Sequence, residues 1–250
     1  MIEASVREAF LGGLADQLGR DITLFDTVGT SVIGRDGRAG TGSATCYWVG
    51  RHAVVWCDPA LEESLASLTS DTVATTDEVE GVMTSLGLTP LGAAIMHGLG
   101  APVADPGPAP SPYEGRSLTI ADVDLVRAFT SRCDPSDVED VLLDDLDDFD
   151  EAGMRVAVDP TLGPDHIVAY ASAMDWGWNA TFADIAVLVH RDHRRRGLAR
   201  WVVHATTAAL LTEGRIPLYR HDVDNLGSAA VARSIGFRPL VTLAGYRRAD

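Results

Sequence analysis

The sequence predicts an α/β protein in two parts, a small α+β unit and then a larger unit built on a mixed sheet. Three observations carry this. From about residue 113 onward, short β-prone runs alternate with helical periods. A proline-rich stretch, with five prolines between 102 and 112, separates the two parts. One apolar run, TFADIAVLVH, enters an arginine-rich turn, RDHRRRGLAR, that opens directly into a long helical period.

The first part, residues 1–100, starts with ASVREAFLGGLADQL, whose apolar positions recur at helical spacing. SATCYWVGRHAVVWCDP reads as a hairpin turning at Gly50 and Arg51. Asp58 and Pro59 open a helix through PALEESLASL, because proline suits the first helical position. TTDEVEGVMTSLGL is a second helix, starting at Thr76 or Asp77 and stopped by Gly87. Residues 101–112 read as an extended linker, since proline fixes φ and removes backbone donors.

In the second part, residues 113–250, RSLTIAD is a short strand, followed by helices in VDLVRAFTSRC and DVEDVLLDDLDDF. MRVAVDP and DHIVAYASAMDW are strands, and GWNA turns the chain back into TFADIAVLVH. GLARWVVHATTAALLTEG is a helix ending at Gly214, IPLYRHDV a strand, NLGSAAVARSIG a helix ending at Gly236, and FRPLVTLAGYR a final strand.

Composition narrows the function. The 250 residues carry a formal charge of −16, unevenly placed. Residues 190–250 hold eleven arginines against five acids, whereas residues 1–189 hold nine against 31. A surface that repels phosphate over most of its area is a poor nucleic-acid binder, so the basic region must act locally. The amino-terminal stretch lacks the pattern of a signal peptide, and no apolar run has the length of a membrane span. Three cysteines without metal-ligand spacing (Cys46, Cys57, Cys133) fit reduced thiols, and a cytoplasmic protein is the expectation. His190 and His193 have no partner set at metal-ligand spacing, so no metal is expected. The segment 134–151, with ten acids and no base, reads as a solvated helical face or as an acidic mouth that draws in a cationic amine.

The turn itself has a specific physics. A helix start leaves backbone N–H groups unpaired and carries roughly +0.5 of a charge, so it favours an anion. Gly197 lets the backbone approach that anion, Ala199 keeps the first turn open, and arginines add charge-assisted bonds. Strand, Arg194, Gly197 and Ala199 together resemble the Arg/Gln-x-x-Gly-x-Gly/Ala signature of the GCN5-related N-acetyltransferase (GNAT) superfamily. DNLGSAAVARSIGF resembles a second element of that family, through Asn225, Ser228, Gly236 and Phe237. The resemblance covers about residues 113–250.

The resemblance implies a GNAT-like acyl-CoA N-acyltransferase fold that binds acetyl-CoA, without metal, and passes acetyl directly to an amine acceptor. Amides of Arg195, Arg196, Gly197, Leu198, Ala199 and Arg200, with Arg194 and Asn225, would hold the cofactor. The strand at Val187 and Val189 would pair with the pantetheine arm and polarise the thioester carbonyl. The family often places a tyrosine seven residues after the asparagine, as acid toward the departing thiolate; here that position is Ala232. Tyr219, His221 and Ser228 are substitutes for that acid, and Asp184, with Asp175 and His190 near it in sequence, is the candidate base. Ala232 also keeps open a second reading, an acyl-CoA-binding or regulatory module with weak or no catalysis. For the first part the expectation is cover for the acceptor side, or pairing into a homodimer. Neither nucleic acid nor membrane is an expected partner.

Overall fold

The computed structural model describes residues 2–99, 101–139, 153–176 and 179–248. In chain order, helix α1 (Ile2–Leu18) precedes strands β1 (Gly29–Gly34), β2 (Ser43–Val49) and β3 (His52–Cys57). Helices α2 (Glu62–Leu65) and α3 (Thr76–Ser85) follow, then β4 (Leu88–Gly98), β5 (Glu114–Ser117), α4 (Val123–Thr130) and α5 (Pro135–Glu139). The remainder is β6 (Arg155–Val158), β7 (Ile167–Trp176), β8 (Asn179–Val189), α6 (Leu198–Thr212), β9 (Ile216–Asp222), α7 (Leu226–Ile235) and β10 (Arg238–Arg248).

Local chemistry sets the boundaries. Asp58 accepts from Ala60 N at 3.0 Å and so starts the turn ahead of α2. Thr75 and Glu78 form a reciprocal capping box at α3, one residue before the expected start. Gly87, Gly214 and Gly236 take positive φ just beyond α3, α6 and α7, where a side chain would be strained.

All ten strands form one mixed sheet, ordered β1-β3-β2-β10-β4-β9-β8-β7-β6-β5. The two parts expected from the sequence, residues 1–100 and 113–250, share this sheet. β4, from the first part, lies between β9 and β10 of the second, pairing Met96 with Arg220 on one side and with Val241 on the other. The proline-rich stretch contains no helix or strand, yet the sheet continues across it. The sequence reading also omitted β1 and β4 and placed the strand of β5 a few residues late.

Alternation along each strand divides the core between two faces. One face buries Ala183, Ile185, Tyr219 and Ala232 with Leu198 and Val202 of α6, and farther along buries Cys46, Val55 and Tyr246 with Val79 and Met83 of α3. The other buries Phe182, Leu218 and Tyr47 under Phe10 and Leu14 of α1, and Tyr170 and Leu188 under Val126 and Phe129 of α4. Among the described residues no helix covers the second face between α1 and α4, over Asp184 and Arg220.

β8 and β9 are parallel and pair only from Phe182↔Ile216 to Ile185↔Tyr219. Beyond that point β8 keeps its bonds to β7, through Val187↔Ala171 and Val189↔Ala169, but parts from β9. The middle of the sheet therefore splays open, with exposed edges on both strands.

Candidate active site

The arginine-rich turn fills the mouth of that splay. Arg195 has φ 62° and Gly197 φ 81°, two left-handed residues that turn the backbone into α6. Gly197 is the N-cap and supplies no side-chain acceptor, and no described group accepts from the amides of residues 195–200. Six consecutive N–H groups at the positive end of a 15-residue helix are thus left for an outside anion. A Cβ on Gly197 would stand 3.6 Å from Pro110, so the demand for glycine is conformational rather than steric.

The arginine side chains divide into two groups. Arg194 donates through Nε to Val189 O at 3.1 Å and pairs with Asp137 at 2.5 Å. Arg196 donates to Tyr113 OH at 2.7 Å and to Asp192 O at 3.2 Å, while Tyr113 OH also meets His193 Nδ1 at 3.1 Å. These two brace the turn. Arg196 is the one predicted cofactor residue that lines neither cavity of the site, because its guanidinium is turned back onto the bracing tyrosine. Arg195 and Arg200 are exposed at the mouth and lack a described ionic partner.

A cavity of about 480 Å³ runs from this turn along β8, lined by Val187, Val189, Arg194, Arg195, Gly197, Leu198, Ala199, Arg200, Asn225 and Ser228. A second, of about 410 Å³, opens on the other face over Asp184, Ala186, Arg220, Asp222, Gly92, Ala94 and Gly245. Val187, Tyr219, Asn225 and Ser228 line both, so the two meet through the splay.

At that meeting point Tyr219 OH and Ser228 Oγ are 2.7 Å apart. Asn225 Oδ1 accepts from Ser228 N at 2.9 Å, which caps α7 and fixes the serine. Burial pushes the Tyr219 phenol above its ordinary value; Asp184 adds to the rise and the Ser228 bond opposes it. Tyr219 therefore holds its proton near neutrality.

Asp184 stands on the open face, 8% exposed, with Arg220 NH2 3.4 Å from Oδ2 and no partner for Oδ1 among the described residues. Burial raises its pKa and Arg220 opposes the rise. Asp175 pairs with Arg215, and the His190 side chain accepts from Asp192 N, so neither of these sequence neighbours joins the site.

His221 lines the second cavity but is committed elsewhere. Its Nδ1 donates to Asp222 O at 2.7 Å, leaving Nε2 to accept from His97 Nε2 at 3.0 Å. His97 comes from β4, 124 residues away, and no pattern in the sequence signals this pair. Thr45, Leu91, Gly92, Ala94, Arg220, Leu243 and Gly245 were likewise missed. Most are reached only because β4 and β10 lie beside β9, a placement set by tertiary pairing.

Ala232, expected to mark the missing acid, is fully buried in the core beneath α7 and lines neither cavity. The residues of α7 that face the site are Asn225, Gly227, Ser228 and Val231. The acidic segment lies outside the described residues beyond Glu139, as does the centre of the GWNA turn. Among the described residues no group of three or more His, Cys, Asp or Glu is placed to hold a metal, and no helix is long and apolar enough to cross a membrane.

Residues 129–246 match the profile of a family described as GNAT acetyltransferase. Among solved structures, the chain is similar to a GCN5-related N-acetyltransferase from Sphaerobacter thermophilus, at 19% identity and a TM-score of 0.55, over 69% of this chain and 56% of that one. It is also similar to an acetyltransferase of the GNAT family from Colwellia psychrerythraea, at 11% identity and a TM-score of 0.50, over 78% and 76% of the two chains. At these identities the likeness is one of fold, and this chain spans just over half the length of the Sphaerobacter protein. No curated protein matches the sequence.

Proposed function

Since the second part of the chain belongs to the GNAT superfamily, with residues 129–246 matching the acetyltransferase family, we propose that the protein transfers acetyl from acetyl-CoA directly to a primary amine. The observation that carries this reading is the pair of cavities meeting at Val187, Tyr219, Asn225 and Ser228, one floored by unpaired amides and the other by a buried carboxyl. An anion cradle on one face and an amine-binding group on the other suit a reaction between two substrates at the gap.

When bound, acetyl-CoA supplies the activated acetyl group and a thiolate leaving group. The amides of residues 195–200 hold its pyrophosphate, and the exposed guanidiniums of Arg195 and Arg200 add charge at the mouth. The freed edge of β8 around Val187 and Val189 aligns the pantetheine arm and presents an N–H to the thioester oxygen. Tyr219, protonated and oriented by Ser228, is placed to donate to the departing sulfur. Asp184 receives the amine on the opposite face. Positioning of the two substrates supplies much of the rate.

The first part of the chain acts as the acceptor-side wall, through Leu91, Gly92 and Ala94 of β4 and Thr45 of β2. The alternative of a catalytically silent acyl-CoA-binding module drew its support from Ala232. That position faces the core, whereas Tyr219 lies where the two cavities meet, which supports the enzyme reading. Release of CoA thiol, measured over a panel of primary amines, tests the proposal. Turnover on at least one amine that falls in Tyr219→Phe is the expected result; a tyrosine-independent rate, or none on any amine, would refute it.

A further inference from the structure

The floor of the acceptor cavity carries an unusual juxtaposition. Asp184 and Arg220 project from neighbouring strands on the same face, 3.4 Å apart at their nearest atoms. Asp184 is 8% exposed, with Oδ1 buried and without a partner among the described residues, whereas the Arg220 side chain remains 36% exposed. A negative and a positive group thus lie side by side beneath one cavity, just before the point where β8 and β9 part at Ile185 and Tyr219.

The rest of the lining is mixed, with Thr45, Asp222, Asn225 and Ser228 beside small and apolar residues. Gly92, Ala94, Ala186 and Gly245 make a smooth floor, and Ile185 and Leu243 line it. Leu91 sits on a bulge of β4 and is 61% exposed, while Met174 of β7 is 42% exposed, and both border this cavity. At about 410 Å³ the space is in the small-ligand range.

We propose that the acceptor is a zwitterion, a free α-amino acid with an apolar side chain, whose ammonium is held at Asp184 and whose carboxylate is held at Arg220. This rests on the acetyltransferase reading above. In an α-amino acid the two charged groups are separated by one carbon, which matches two opposite charges on adjacent strands. A zwitterion laid on an ion pair exchanges partners without adding net charge to the cavity, so desolvation is compensated on both sides. Its ammonium meets the Asp184 carboxyl at the cavity floor, and its side chain covers Leu91 and Met174. A polyamine or aminoglycoside would instead bring a second cation against Arg220. In the balanced step the ammonium gives one proton to Asp184, which passes it to solvent; the free amine forms the C–N bond as the C–S bond breaks, CoA leaves as a thiol with the proton from Tyr219, and the second proton lost by the nitrogen restores the phenol.

The test measures CoA thiol release at saturating acetyl-CoA with L-leucine, L-methionine and L-phenylalanine. Each is compared with its amide and its decarboxylated amine, and spermidine is included. The amino acids should exceed their counterparts without a carboxylate in kcat/KM by about tenfold or more, the scale of one charge-assisted hydrogen bond. Arg220→Met should bring leucine down to the level of leucinamide while acetyl-CoA affinity, measured by calorimetry, stays unchanged. Arg220→Gln serves as the second variant should the first fail to fold. Equal or faster turnover of the decarboxylated amines or spermidine, or a carboxylate preference that survives in both variants, would overturn the zwitterion while leaving acetyl transfer standing. Intact acetyl-CoA binding without turnover of any amine would count against both.

Discussion

Acid should weaken this fold in good part through His97. Its ring is 5% exposed between β4 and β9 and donates to His221, with Tyr219 of β9 beside it and Arg233 of α7 nearby. Burial, then His221 and Arg233, lower its pKa from 6.5 to about 4. The depressed value means that the unfolded chain takes up a proton first as the pH falls. Stability is thus intact above about pH 6.5, declines through the interval down to about 4, and is level below it. Linkage puts the loss between pH 7.5 and 4.5 at about 2–3 kcal/mol for this ring alone. His52, His166 and His193 are also held low, chiefly by burial, so the wild-type slope contains other contributions. His97→Gln isolates the effect, because the amide still donates to His221 Nε2 and does not titrate. Urea unfolding at both pH values should show the variant losing about 2–3 kcal/mol less than wild type. Parallel losses in the two proteins would refute a neutral, buried His97.

Other perturbations separate bracing from binding and acid from core. Ala232→Tyr should destabilise by about 1–3 kcal/mol or more, with no gain in rate, because the site is fully buried against α6 and β9; thermal unfolding checks it, and an unimpaired, faster enzyme would contradict the placement. Tyr219→Phe should slow CoA release by about 10²–10⁴-fold, with acetyl-CoA affinity unchanged, in steady-state kinetics and calorimetry. Arg195→Ala with Arg200→Ala should weaken acetyl-CoA binding and flatten its dependence on salt, since both guanidiniums are exposed at the mouth. Arg196→Ala should act mainly on stability by releasing Tyr113, and equal affinity losses from the two changes would contradict that division.

The legible parts of the sequence were those whose information is local. β8, the arginine turn and α6 are adjacent in the chain, so strand, left-handed glycine and helix start could be read in order. The Asn225 cap and the Gly236 stop were legible for the same reason. What stayed hidden depends on distant pairing. β4 carries LTPLGAAIMHG, with a proline, two glycines and little β-branching, and it becomes a strand only because β9 and β10 supply edges on both sides. His97 reached His221 with that pairing. Ala232 misled for a different reason. A motif offset fixes a sequence position but not the face of α7 on which it falls, and residue 232 falls on the buried one.

The central claim is that acetyl-CoA binds with its pyrophosphate on the amides of residues 195–200, beside the β8–β9 splay. The most direct measurement is calorimetric titration of acetyl-CoA into wild type and Gly197→Asp, with circular dichroism and thermal unfolding to show that the variant is folded. Gly197 holds φ 81°, so an aspartate there is strained by about 1–2 kcal/mol and sets a carboxylate where phosphate must sit. The account predicts one acetyl-CoA bound per wild-type chain and no measurable binding to a folded variant. Equal affinity in the two folded proteins would contradict it.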